Sequence, residues 1–213
     1  MVVSGTGTGV GKTWVAAELI RALRASGVEV DARKPVQSFD PDEGSTDADI
    51  LGTATGERST TVCPSHRSYP IPMAPPIAAE VLGRDSFTVA DLVAAIEWRP
   101  DALTVVEGVG GPRSPLASNG DTVTLTNTLE ADLVVLVAEP VLGGINATLL
   151  SAGAFGDRPL TVYLNRFRPD QLLHRTNLEW LTARAGLRVV TTMEQLANEV
   201  LSTLSPEPAG TAT

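Results

Sequence analysis

One cysteine, Cys63, is all the sequence holds. A lone thiol forms no intramolecular disulfide and no cysteine-based zinc site. Beside Pro64, with no evident base partner, it makes a poor nucleophile. Histidine is scarce as well, and His66 and His174 have no ligand spacing around them. Positive charge is in deficit: 16 Lys and Arg against 25 Asp and Glu leave a net charge of −9, which argues against a nucleic-acid binder held by a basic surface. No apolar run approaches the roughly 18 residues that a membrane-spanning helix requires. The opening "MVVSGTGTG" has neither the basic start nor the apolar stretch of a secretory signal. The expectation is a cytoplasmic protein that binds neither nucleic acid nor membrane.

What is present is an ordinary globular composition. The 213 residues are 43% hydrophobic and suit one domain with a sizeable core. That domain is expected over residues 1–204, with a flexible tail over 205–213, where "SPEPAGTAT" is rich in Pro, Ala and Thr. Apolar spacing alternates between strand-like and helix-like. Val2 and Val3 open a strand that ends in a glycine-rich loop, and a helix follows over 12–26, stopped by Gly27. A second strand covers 28–36, and 37–46 is a polar loop. Helices are predicted at 47–54, from 76 to a stop at Gly83, and at 88–98 with Thr88 as N-cap and Asp91 at the third helical position. The Val- and Leu-rich runs "LTVVEG", "LVVLVAE" and "LTVYLN" suit strands buried on both faces of a parallel sheet. Helices at 146–155 and 172–185, a strand at 187–190 and a helix at 193–204 complete the chain. This β-α-β order predicts a single doubly wound α/β domain, mostly parallel, and the glycine-rich "GTGTGVGKT" between its first strand and helix makes it of P-loop NTPase type. In such folds ligands bind at the carboxyl ends of the strands.

The loops at those ends carry the chemistry. "GTGTGVGKT" (residues 5–13) sits between a strand and an amphipathic helix. Its glycines, Gly7, Gly9 and Gly11 among them, and Val10 let backbone N–H groups wrap an anion at the positive end of that helix. Lys12 reaches the outer phosphates, and the Thr13 hydroxyl ligates Mg²⁺. The loop is one residue longer than the common pattern, with five residues between Gly5 and Gly11. The extra length offers Thr8 to a second substrate. Lys34, in "KPVQS", stands either beside the transferring phosphate or on the surface at a strand end. Glu107 ends a strand at the position of a metal-binding acid. In the acidic loop, one of Asp47 and Asp49 reaches the metal. Asn165, at a strand end, either reads a nucleobase or makes an ordinary turn. Asn146, after two glycines, caps a helix, joins an anion site at that helix start, or does both. Trp14, Trp98 and Trp180 read most simply as packing or partly buried residues.

Together, "GTGTGVGKT", "KPVQS", "TDA", "YPIPMAPPIAAE", "VVEGVGG", "GGIN" and the strand-end Asn165 resemble the dethiobiotin synthetases over roughly residues 1–166. The resemblance implies ATP- and Mg²⁺-dependent ring closure on 7,8-diaminononanoate with CO₂. Lys12 and Lys34 would steady the transferring phosphoryl group, and Thr13, Asp47 and Glu107 would hold Mg²⁺. Thr8 and Ser38 would line the diamine and carbamate site. Gly110 and Gly111 would let substrate approach the backbone, and Asn165 would face the base. The family's homodimer would bring Gly144 and Asn146 of one subunit to the substrate carboxylate of the other. The chain departs from the family in two places. Gly111 is followed by "PRSPL" rather than apolar residues, and "TTMEQL" stands where a Gly-x-Ile-Pro segment encloses the base. Other readings are a different P-loop ligase, a partitioning-type nucleotide switch, and a homologue that binds nucleotide without turnover.

Overall fold

The computed structural model describes residues 1–42 and 44–204, so the predicted tail lies outside the described residues. β1 (Val2–Gly5) leads through the glycine loop into α1 (Lys12–Ala25). β2 (Val30–Arg33), β3 (Gln37–Ser38), α2 (Asp47–Thr55), α3 (Ser59–Val62) and β4 (Ser68–Tyr69) follow. Then come α4 (Pro75–Val81), α5 (Val89–Ala94), β5 (Leu103–Glu107), β6 (Pro115–Ala117), β7 (Gly120–Asp121) and α6 (Thr122–Thr128). The chain continues through β8 (Val134–Ala138), α7 (Gly144–Gly153), β9 (Leu160–Leu164), α8 (Leu172–Glu179), β10 (Val189–Val190) and α9 (Met193–Leu204).

Six strands form one parallel sheet in the order β10-β9-β8-β1-β5-β2. Strand periodicity assigns its two faces. Val3, Val105, Val135, Val137 and Tyr163 pack with residues of α1, α2 and α9. Val2 and Val106 point the other way, toward α4, α5 and α6, while Leu136, Val162 and Leu164 pack toward α7 and α8. The sheet is therefore doubly wound. From β1 the chain first builds outward through β2 and β5, then crosses to β8, β9 and β10. The loop after β1 thus lies at the reversal of strand order, where ligands of such sheets bind. Among the described residues no helix is long and apolar enough to cross a membrane.

Several predicted boundaries shift: β2 covers Val30–Arg33 rather than 28–36, α8 ends at Glu179 rather than 185, β10 covers Val189–Val190 rather than 187–190, and four further differences follow. The helix predicted over 88–98 keeps its Thr88–Asp91 capping box but ends at Ala94, and beyond it the buried Arg33 guanidinium donates to the Glu97 carbonyl at 2.7 and 3.1 Å. The helix predicted from 76 starts at Pro75, a position that tolerates proline's missing N–H. The loop predicted over 37–46 contains β3, which pairs in parallel with β4. The helix predicted from Asn146 starts two residues earlier, capped by Gly143 at φ 84°, so Asn146 lies inside the first turn and is not the N-cap.

The region 115–128 had no sequence prediction. Its "TVTLTNT" is poor in helix formers. It is helical because Asp121 accepts the Thr124 N–H at 2.8 Å and because Val123 and Leu125 are buried. The Thr126 and Thr128 hydroxyls also turn back onto carbonyls one turn earlier.

Candidate active site

The loop between β1 and α1 has its shape from two left-handed glycines, Gly9 at φ 78° and Gly11 at φ 93°. Gly11 also has no room for a side chain: a Cβ there would stand 2.3 Å from Asn165 Nδ2. That amide explains the close approach. Asn165, buried at the end of β9, donates from Nδ2 to the Val10 carbonyl at 2.9 Å and accepts the Arg166 N–H at 3.0 Å. A loop whose own residues are adjacent in sequence is thus braced from the far half of the chain. Below it, Lys12 bends back to donate to the Gly7 carbonyl at 2.8 Å.

Lys34 is not a surface lysine. It follows β2, its N–H is fixed by the Val62 carbonyl at 2.8 Å, and it is 3% exposed. Its ammonium pairs with Glu107 Oε1 at 2.6 Å and Asp47 Oδ2 at 2.8 Å, and donates to the Gly108 carbonyl at 2.9 Å. The Thr13 hydroxyl lies 2.7 Å from Asp47 Oδ1 and 3.0 Å from Glu107 Oε1, with one proton to give to either. Three segments far apart in sequence therefore meet at one point: the start of α1, the end of β2 with the start of α2, and the end of β5.

Capping separates Asp49 from Asp47. Asp49 is the third residue of α2, and its carboxylate accepts the Thr46 N–H at 3.0 Å while Thr46 Oγ1 accepts the Asp49 N–H. That reciprocal box consumes Asp49. Asp47, one position into the helix, turns toward Lys34. Gln37 sets this entry angle: its Oε1 accepts the Ala48 N–H at 3.0 Å and its Nε2 donates to Ser68 at 2.9 Å. Sequence reasoning passed over Gln37. It also passed over Arg33, whose guanidinium pairs with Asp31 at 2.9 Å and Glu57 at 2.8 Å immediately before Lys34. The signal available was an arginine at an otherwise apolar strand position.

Charges in the site are mutually tuned. Burial pulls the Lys34 ammonium down, but Asp47 and Glu107 outweigh it and hold its pKa above the ordinary lysine value. Burial raises the Glu107 carboxyl against the pull of Lys34. For Asp47, burial is overcome by Lys34 and the Thr13 hydroxyl, and the acid sits low. Lys12 is lowered, first by burial and then by the charge of Lys34. Two ammonium groups and two carboxylates thus share one end of the site. Cys63 is buried and its thiol is pushed up to about 12, which makes it inert.

These groups line a cleft of about 560 Å³. Thr8, Gly9, Gly11, Lys12, Thr13, Lys34, Ser38, Asp47, Glu107 and Gly110 all contribute to its wall. Ser38 is held by the Met73 carbonyl at 2.5 Å. A methyl group added to Gly110 would stand 3.7 Å from Thr8 Oγ1, so the lengthened loop and the glycine turn after β5 face each other. Gly111 lies next door, its N–H bound by Ser114 at 2.9 Å, on a neighbouring groove with Arg113. Gly144 and Asn146 lie outside the cleft. Gly144 is pressed against the Glu139 carbonyl and gives its N–H to Val141, and Asn146 is exposed. Trp14 is partly buried, 53% exposed, and forms part of the cleft wall.

Thr13, Asp47 and Glu107 present oxygen donors only, the set preferred by a hard divalent cation. Glu107 Oε2 is buried without a hydrogen-bond partner among the described residues, so the residues present fit such a cation. Among those residues no group of three or more His, Cys, Asp or Glu converges. Phosphate oxygens and water would have to complete the shell.

Fold and loop define a nucleotide-binding α/β domain of the P-loop class. The AAA domain family matches residues 1–200. A putative plasmid partition protein from Borrelia burgdorferi, solved with AMPPNP, shares the fold at TM-score 0.54 and 12% identity, covering 97% of this chain and 98% of that one. Within this class the chain belongs to the dethiobiotin synthetase family. It is 38% identical to the ATP-dependent dethiobiotin synthetase of Haloferax mediterranei, over 89% of this chain and 81% of the relative. It is 40% identical to that of Mycobacterium tuberculosis, over 72% of this chain and 67% of the relative.

Proposed function

We propose that this chain is a dethiobiotin synthetase that closes the ureido ring of 7,8-diaminononanoate with CO₂ and ATP. One amine adds to CO₂ and loses a proton, giving a carbamate. A carbamate oxygen attacks the γ-phosphorus, the bond to the β-phosphate oxygen breaks, and ADP leaves. The second amine then attacks the carbonyl of the carbamic–phosphoric anhydride. Phosphate departs, the amine gives up a proton, and the ring is closed.

The observation that carries this reading is the Lys34 ammonium, buried between Glu107 and Asp47 at one end of a cleft that also holds Lys12, Thr8 and Ser38. In the working complex Lys12 and Lys34 spread the charge of the transferring phosphoryl group. The backbone N–H groups of Gly7 to Gly11 cradle the inner phosphates. Thr8, Ser38, Gly110 and Gly111 position the diamine and its carbamate, and Asn165 holds the loop from the side where the base would lie. Thr13, Asp47 and Glu107 would hold Mg²⁺, which supplies charge neutralisation across the outer phosphates when bound. No enzyme nucleophile is required, so catalysis is positioning and electrostatics.

The reading extends to a homodimer. Leu142, Leu150 and Leu172 on and beside α7 and α8 are 90%, 70% and 67% exposed, an apolar surface suited to a second copy. Pairing there would bring the Gly144–Asn146 turn to the partner's cleft.

The test is direct. The protein is incubated with 7,8-diaminononanoate, bicarbonate, Mg²⁺ and ATP, and dethiobiotin is followed by mass. Equimolar dethiobiotin and phosphate are expected. Phosphate without dethiobiotin, or no product with any nucleoside triphosphate, rejects the proposal.

A further inference from the structure

α1 buries Val15, Leu19 and Leu23 and turns Trp14 and Arg21 outward. Trp14 is the residue after the phosphate-loop threonine, and its indole stands in the cleft wall, 53% exposed. A half-exposed indole has an apolar face in water that stacking would cover. The direction of that face can be traced. Gly11, the N-cap of α1, lies against Asn165 at the end of β9, and Tyr163 of that strand packs in one cluster with Val15 and Leu19 of α1. Two residues after Tyr163, Asn165 grips the Val10 carbonyl. The start of α1 therefore borders the end of β9. The other wall, with Lys34, Ser38 and Gly110, belongs to the γ-phosphate end and the second substrate. A nucleotide with its phosphates on the loop has its base left for the Trp14 side.

We infer that Trp14 is the stacking platform for the nucleobase. This rests on the nucleotide-dependent reading above and adds a residue to it. Stacking has no hydrogen-bond code, so the platform serves any base with a π face, purines more than pyrimidines.

Tryptophan emission tests this. In a Trp98→Phe/Trp180→Phe background only Trp14 emits. Titration with ADP and Mg²⁺ should quench it, and tripolyphosphate with Mg²⁺ should bind without comparable quenching. Trp14→Ala should weaken ADP binding about tenfold or more while leaving tripolyphosphate within about twofold, the range of one lost base–aromatic stack. Trp14→Phe should restore most of the loss. Unchanged ADP affinity in Trp14→Ala, or equal losses for ADP and tripolyphosphate, overturns the inference. So does a raised KM for the diamine at unchanged ADP affinity. The titrations need no turnover, so absence of dethiobiotin would remove the synthetase reading and leave this one standing.

Discussion

Lys34 links the proposed chemistry to the stability of the fold. Its ammonium is the counter-ion of a fully buried Glu107. Lys34→Ala should cut turnover by about 10²–10³, the usual loss when one preorganised donor to developing charge is removed. It should also destabilise the fold by about 3 kcal/mol, because Glu107 is left buried without its cation. Denaturant unfolding of the single variant and of Lys34→Ala/Glu107→Gln separates the two effects: the double variant regains stability but not activity. Gly11→Ala is a second residue-scale prediction. It meets both a φ of 93° and the Asn165 amide at 2.3 Å. Equilibrium dialysis with ATP should find nucleotide affinity lost. Asn165→Ala removes the partner of the buried Val10 carbonyl and should cost about 1–3 kcal/mol in thermal or denaturant unfolding.

At the scale of elements, α2 is both a helix and a pointer. The Thr46–Asp49 box sets its start, and Asp47 faces Lys34 because that start is set. Thr46→Ala should lower stability by about 1 kcal/mol at pH 7 in denaturant titration. The pH dependence follows from Asp49. Hydrogen bonds from the Thr46 side chain and backbone hold its pKa below the ordinary value, so the native state binds fewer protons than the unfolded chain. The box's contribution is present above the unfolded pKa and is lost as pH falls through the folded one. Wild type and variant should therefore converge in stability at acid pH.

Contiguous motifs were readable in advance. The glycine loop, the apolar strands and the capping box over 88–91 need only neighbours along the chain. What was not readable needed distance. Asp47 and Asp49 differ in role because one is taken by a cap, Lys34 meets Glu107 across 73 residues, and α6 forms against its own threonines. The segment after α5 is held by Arg33, 64 residues from the Glu97 carbonyl that it binds.

For the whole molecule, β1, β2, β5, α1 and α2 meet at one cleft, so a ligand there ties together most of the sheet. At a hundred times its dissociation constant, Mg²⁺ and ATP should stabilise the native state by about 2.7 kcal/mol. For a chain of this size that is a rise of roughly 5–10 °C in Tm. Differential scanning fluorimetry should show it, and EDTA should remove most of it. The Asn165–Val10 bond has another consequence, during synthesis. The two residues are 155 positions apart, and β1 lies between β5 and β8, its neighbours on both sides made long after it. On a ribosome adding about 5–20 residues per second, that is roughly 8–30 s. A nascent chain displays its nucleotide loop early but cannot lock it until the ninth strand has emerged. Binding competence thus arrives late in translation, and messages truncated before residue 165 should yield products without it.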